Sequence, residues 1–244
     1  MRAFIVTALS VALGAGMAAA QVSHNAMDQQ IQQSLQKEFA GHKDLAGVQA
    51  SVDDQIVTLS GSVPSYRAKL EAIHEARQAG HGYIDHLTVG GVSVSDQQLK
   101  EKLATRLTYD RMGMGQTFNS LNIAVHNGVV TLSGNVRDYP DRDSAVDIAA
   151  DTAGVKNVVD KIHVAPLSPM DDQIRLEAAR KIYGNPSMLR YANNPAHPIR
   201  IVVNNGRVTL DGVVDSQVDK ALAGNAVRSI PGVFGVQNNL VVSH

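Results

Sequence analysis

The chain has 244 residues, with 22 Lys and Arg against 23 Asp and Glu, no cysteine, no tryptophan and 4% aromatic residues. Without cysteine there is no disulfide framework, no thiol nucleophile and no thiol for a lipid anchor. Near-neutral charge argues against a general nucleic-acid or polybasic membrane binder, and the scarcity of aromatics argues against a sugar-stacking cleft or a base-binding platform.

The opening stretch MRAFIVTALSVALGAGMAAA holds one basic residue, Arg2, then an apolar run closing on the small residues Ala18 and Ala20. It reads as a secretory signal peptide over 1–20, cut after Ala20. The apolar core is short for a membrane span and no basic stop-transfer cluster follows, so an exported product without a transmembrane segment is expected.

From residue 27 onward one pattern is written three times. TLSG at 58–61, TLSG at 131–134 and TLDG at 209–212 stand 73 and 78 positions apart. Each copy begins with an Asp followed by apolar residues at four-residue steps: Asp28 with Ile31, Leu35 and Phe39; Asp96 with Leu99, Leu103 and Leu107; Asp171 with Ile174, Ala178 and Ile182. This spacing predicts an amphipathic helix of about three turns, with the Asp placed to cap it and Ser95 with Gln98 suited to a capping box.

VQASVDDQIVTLSG (48–61), LNIAVHNGVVTLSG (121–134) and IRIVVNNGRVTLDG (199–212) then read as hairpins of two alternating strands. Asn127-Gly128 and Asn205-Gly206 supply the pair preferred in a type I′ turn, and Asp54-Gln55 is a less ideal one. Gly61, Gly134 and Gly212 after the second strand mark a bulge or exit turn. A second helix is expected from near Pro64, Pro140 and Ser216 to Gly80, Gly154 and Gly232, with the glycines ending it in the left-handed conformation. The strands IDHLTV (84–89), VVDKIHV (158–164) and VQNNLVV (236–242) complete the copies.

The expected fold is α+β: three tandem small domains, each helix-strand-strand-helix-strand with two helices packed on a three-stranded mixed sheet. The boundaries are 27–93, 95–165 and 170–244, joined by GGVSVS (90–95) and APLSPM (165–170). Units of about 70 residues bury modest cores, and links this short allow them to gain stability by packing on one another.

VHNGVVTLSGNV with AGVKNVVDKIHV in the second copy, and VNNGRVTLDGVV with PGVFGVQNNLVV in the third, resemble the BON domain of bacterial envelope proteins. The first copy keeps IVTLSGSV but departs at its turn and in the shorter GHGYIDHLTV. The resemblance implies a periplasmic, stress-related, non-enzymatic protein without a cofactor, with anionic phospholipid or exported protein clients as partners. The alternative it leaves is a structural interaction module of an envelope or secretion assembly.

No catalytic or metal set is read from the residues. His74, His81 and His86 have no histidine counterparts in the other copies and no framing motif. Ser60 and Ser133 are replaced by Asp211 in the third copy, and Asp53-Asp54 and Asp171-Asp172 fall at a turn and a helix start, where acids have structural roles.

Charge is unevenly spread: 5 basic against 8 acidic residues over 21–93, 8 against 9 over 94–166, and 8 against 6 over 167–244. The third copy is therefore the one suited to an anionic surface. Its insertion GNPSMLRYANNPAHPIR (184–200) is read foremost as a solvated connector, the functional alternative being a contact loop. Arg190, Tyr191, Arg200 and Arg207 are the candidate binding residues of that surface.

Overall fold

The computed structural model describes residues 12–109, 116–166, 168–192 and 198–243, with side chains from Asn25 onward except at Gln116. Residues 1–11 of the expected signal segment lie outside these. The chain divides into two compact units, Met1–Gly91 and Val92–His244.

In the first unit α1 (Ala12–Gly41) is followed by β1 (Val48–Asp53), β2 (Ile56–Val63), α2 (Tyr66–Ala79) and β3 (Gly82–Val89). β1 and β2 form an antiparallel hairpin closing on Asp53 opposite Ile56. β3 returns parallel to β2, giving the order β1-β2-β3, and such a parallel return requires a crossover, here α2. Val57, Leu59 and Val63 are buried while Thr58 and Ser60 are not, the alternation of a sheet covered on one face. Leu35 and Phe39 of α1 and Ala68, Ala72 and Ala76 of α2 complete this core.

The second unit holds two further copies. α3 (Asp96–Tyr109), a 3-10 turn (Gln116–Phe118), β4 (Ser120–His126), β5 (Val129–Val136), α4 (Tyr139–Ala150) and β6 (Asn157–Val164) repeat the pattern, with sheet order β4-β5-β6. The third copy runs α5 (Pro169–Tyr183), α6 (Leu189–Ala192), β7 (Arg200–Asn204), β8 (Arg207–Asp211), β9 (Val213–Val214), α7 (Gln217–Arg228), β10 (Gly235–Asn238) and β11 (Val241–Val242). Its sheet is β7-β8-β10, with β9 and β11 continuing as a parallel pair. The fold is α+β, and the expected apolar triads are seated inward: Leu99, Leu103 and Leu107, and likewise Ile174, Ala178 and Ile182, are buried.

Gly61, Gly134 and Gly212 have φ of +112°, +110° and +140°. A Cβ at each would strike the carbonyl oxygen of Gly47, Ser120 and Pro198 respectively. The repeated glycine thus permits a close backbone approach that no other residue tolerates. At Gly212, where φ is largest, the strand is interrupted between β8 and β9.

The second helices start at side-chain caps. Ser65, Asp138 and Ser216, all extended, accept from the main-chain N–H of Ala68, Asp141 and Asp219. Pro64 therefore precedes the cap, while Pro140 lies in the first turn. The glycine endings need correction. Gly80 follows α2 with φ −117°, outside the left-handed region; its N–H bonds the Ala76 carbonyl at 3.1 Å. Gly154 and Gly232 are left-handed, at +100° and +85°, but stand in the turns beyond α4 and α7.

The second and third copies pack on each other. Phe118 lies against the third copy's core, and Arg137 Nε stands 3.5 Å from Asp172 Oδ1. The Tyr183 hydroxyl donates to the Ile199 carbonyl at 2.6 Å and also bonds the Thr117 side chain. Burial pushes its pKa up to about 12.

Candidate functional site

One arrangement recurs in all three copies. Asp28 accepts from the N–H groups of Asp54 (3.0 Å) and Gln55 (2.9 Å). Asp96 accepts from Asn127 (2.7 Å) and Gly128 (2.9 Å). Asp171 accepts from Asn205 and Gly206, both at 2.8 Å. Each carboxylate thus grips the two turn amides of the hairpin that follows its helix. The cap expected of these acids is a correction: Ser168 caps α5 and Ser95 bonds the Gln98 N–H, while Asp28 sits well inside α1, where no free amides need capping. The turn residues have positive φ in every copy, including Asp54 (+49°) and Gln55 (+62°), so the first copy makes the same turn despite lacking glycine. Two charge-assisted hydrogen bonds offset that conformation. In Asp96 they hold the carboxyl below its ordinary pKa, the Gly128 N–H contributing most.

The insertion before β7 is part of the third core, which corrects its reading as a solvated connector. Met188, Tyr191 and Ile199 are buried in it; residues 193–197 lie outside the described ones. Tyr191, 4% exposed, donates its hydroxyl proton to Asp219 Oδ2 at 2.9 Å and accepts from the Asp215 N–H at 2.8 Å. Arg190 bonds Asp219 at 2.6 Å and Asp215 at 2.9 Å, its guanidinium lying 5.0 Å from the Tyr191 ring centre. Burial would raise the Asp219 pKa, but hydrogen bonds from Ser216, Tyr191 and Arg190 outweigh it and leave the carboxyl below its ordinary value. Arg190 and Tyr191 are therefore brought together in a network whose hydrogen-bonding capacity the fold already uses.

Arg207 is placed elsewhere, exposed at the start of β8 beside the turn glycine Gly206. Phe234 lies against Gly206, donates its N–H to the Gly206 carbonyl at 2.8 Å, and is 78% exposed. Met170, 61% exposed, lies against Gly232. An aromatic ring, a thioether and a guanidinium thus stand at the turn end of one hairpin. Sequence reasoning named Arg207 and missed Phe234 and Met170. A signal existed, because Phe234 occupies the place held in the second copy by Lys156, which packs on Gly128 in the same way. Arg200 stands apart from this end, half-buried at the start of β7.

His74 bonds Gln78 on the exposed side of α2. No group of three or more His, Asp or Glu able to hold a metal ion occurs among the described residues.

The BON domain model matches residues 27–91, 95–166 and 187–244. The chain belongs to the BON domain family. Among curated BON proteins it is 28% identical over 127 residues to osmotically-inducible protein Y of Escherichia coli (strain K12), a match covering 49% of this chain and 60% of that protein's length. Two solved structures of CdsD, a structural protein of the type III secretion system of Chlamydia trachomatis, align with this BON protein. One is 14% identical, covering 81% of this chain and 86% of that one at a TM-score of 0.25; the other, its C-terminal domain, is 13% identical, covering 82% and 91% at 0.26. At such scores the likeness carries no argument about assembly. No described helix is long and apolar enough to cross a membrane.

Proposed function

We propose that this is a non-enzymatic, stress-related periplasmic protein that binds envelope components, and that the turn end of the third copy meets an anionic phospholipid surface. The observation that carries this reading is Phe234, 78% exposed beside the exposed Arg207. A ring that projects from a rigid turn enters the acyl boundary, and a neighbouring guanidinium pairs with phosphate. Met170 extends the apolar part. Support also comes from the excess of basic residues in 167–244, the signal-like residues 1–20 and the curated relative's description as osmotically inducible. Exported protein clients are the second partner class, and Phe234 and Met170 offer them an apolar contact.

The test is co-sedimentation of the purified chain with phosphatidylglycerol-containing and with purely phosphatidylcholine vesicles, at low and moderate salt. Binding to the anionic vesicles is expected, weakening with salt. Arg207→Gln should weaken it about fivefold, one basic contact near the surface contributing about 1 kcal/mol. Phe234→Ala should weaken it more than tenfold, since burying such a ring is worth about 2 kcal/mol. Binding indifferent to both substitutions removes the third-copy turn from the reading. Absence of vesicle binding together with one partner held at fixed stoichiometry replaces it with a scaffold role in an envelope assembly. Intact mass after export should show Gln21 as the first residue.

A further inference from the structure

A cleft of about 300 Å³ lies in the second unit between α3, β4 and the start of β7. That volume is at the lower end for clefts that hold small molecules. Its apolar walls come from Leu107, Leu121 and Ile123. Two cations, Lys100 and Arg200, line it from opposite copies, and no carboxylate occurs among its described lining residues. Arg200 is half-buried and desolvation draws its pKa down. Asp211, opposite Arg200 in the strand register, partly offsets this through its negative charge and also accepts from the Asn239 side chain at 3.0 Å.

A second, independent feature is Asn119. It also lines the cleft, is 3% exposed, and its Oδ1 accepts from the Arg137 N–H at 2.8 Å. Its buried Nδ2 has no partner. A buried donor left unmade is costly, and a turn of this side chain toward an oxygen in the cleft would satisfy it. Two cations with no carboxylate among the described lining residues, the neutral polar side chains of Thr108, Asn119 and Asn122, and an apolar wall fit an anionic head joined to an apolar body.

We propose that this cleft binds a single small amphiphilic carboxylate, its anionic head between Lys100 and Arg200, where the Asn119 side chain can turn to meet it, and its short apolar body against Leu107, Leu121 and Ile123. The site needs both copies, because β7 supplies the guanidinium that closes the cleft of the second. It is independent of the turn-end surface proposed for lipid, and its occupant is one molecule with one chain.

The experiment is calorimetric and NMR titration of the full chain with sodium octanoate below its micellar concentration, with octanol and inorganic phosphate as comparators. Saturable one-to-one binding of octanoate is expected, at least tenfold tighter than octanol or phosphate. Arg200→Gln should weaken it at least tenfold. Ala104→Trp, on the exposed face of α3 at the cleft wall, should block it while leaving the circular dichroism and the vesicle binding unchanged. Octanoate binding absent, non-saturable or unmoved by a folded Ala104→Trp variant overturns the proposal. Phosphate as tight as octanoate overturns the assigned apolar half.

Discussion

The carboxylate of Asp171, 2% exposed, accepts the main-chain N–H of Gly206 at 2.8 Å across 35 residues of chain. With the Asn205 amide, also at 2.8 Å, it fixes where the β7–β8 turn sits against α5, and the same bond pair joins helix to hairpin in the other copies.

Substitution separates this clamp from helix capping. Asp28→Ala places the best helix former inside α1, so a residue serving only its helix would leave stability unchanged or slightly improved. The clamp instead predicts a loss of about 2–4 kcal/mol from two charge-assisted bonds to Asp54 and Gln55. Urea unfolding of Asp28→Ala and Asp171→Ala measures it, and hydrogen exchange at Gln55 and Gly206 locates it. Unchanged exchange at those amides would remove the clamp.

The second copy carries a pH signature. The Asp96 carboxyl is held below its ordinary value of 3.8 by the Gly128 and Asn127 N–H groups. A carboxyl with a depressed folded pKa stabilises above its unfolded value, and the contribution is lost as pH falls through the folded one. The stability of this copy should therefore be flat above pH 5 and decline below 3.8. Asp96→Asn should remove that part of the dependence. An NMR titration placing the Asp96 carboxyl at or above 3.8 refutes the assignment.

Gly134→Ala tests the repeated close approach. At φ +110° the new methyl meets the Ser120 carbonyl oxygen, and strain of this kind costs about 2 kcal/mol or more. The denaturation midpoint of the second unit should fall. A Gly41→Ala control, where nothing lies within 4 Å of the added carbon, should not.

Tyr191→Phe removes the hydroxyl that joins Asp219 to the Asp215 N–H. A loss of about 1–3 kcal/mol is expected, because the buried Asp219 carboxylate and the Asp215 N–H each lose a bond. Vesicle binding at permissive temperature should stay as in the unsubstituted chain, for both Tyr191→Phe and Arg190→Gln. A selective loss of binding in either would return the insertion to the lipid-contact surface.

The repeat, the order of elements and the core faces were all legible in the order of the residues. Alternation in VTL and the four-step triads reflect one buried face each, a property carried by neighbouring residues and so written locally. Gly61, Gly134 and Gly212 were legible for the same reason, since a left-handed backbone restricts the residue standing in it. The role of Asp28, Asp96 and Asp171 emerged with the folded chain, because the amides they bind lie 26 to 35 positions away and a helix cap uses the same residue type at the same place. Folding also made the insertion core, where Met188 and Tyr191 fill volume beside α5 and α7. It brought Arg200 of β7 to the cleft lined by Lys100 and Leu121, and set Phe234 on the outside of a turn. These outcomes depend on which surfaces meet after the chain has folded back on itself, and no local period or propensity encodes that meeting.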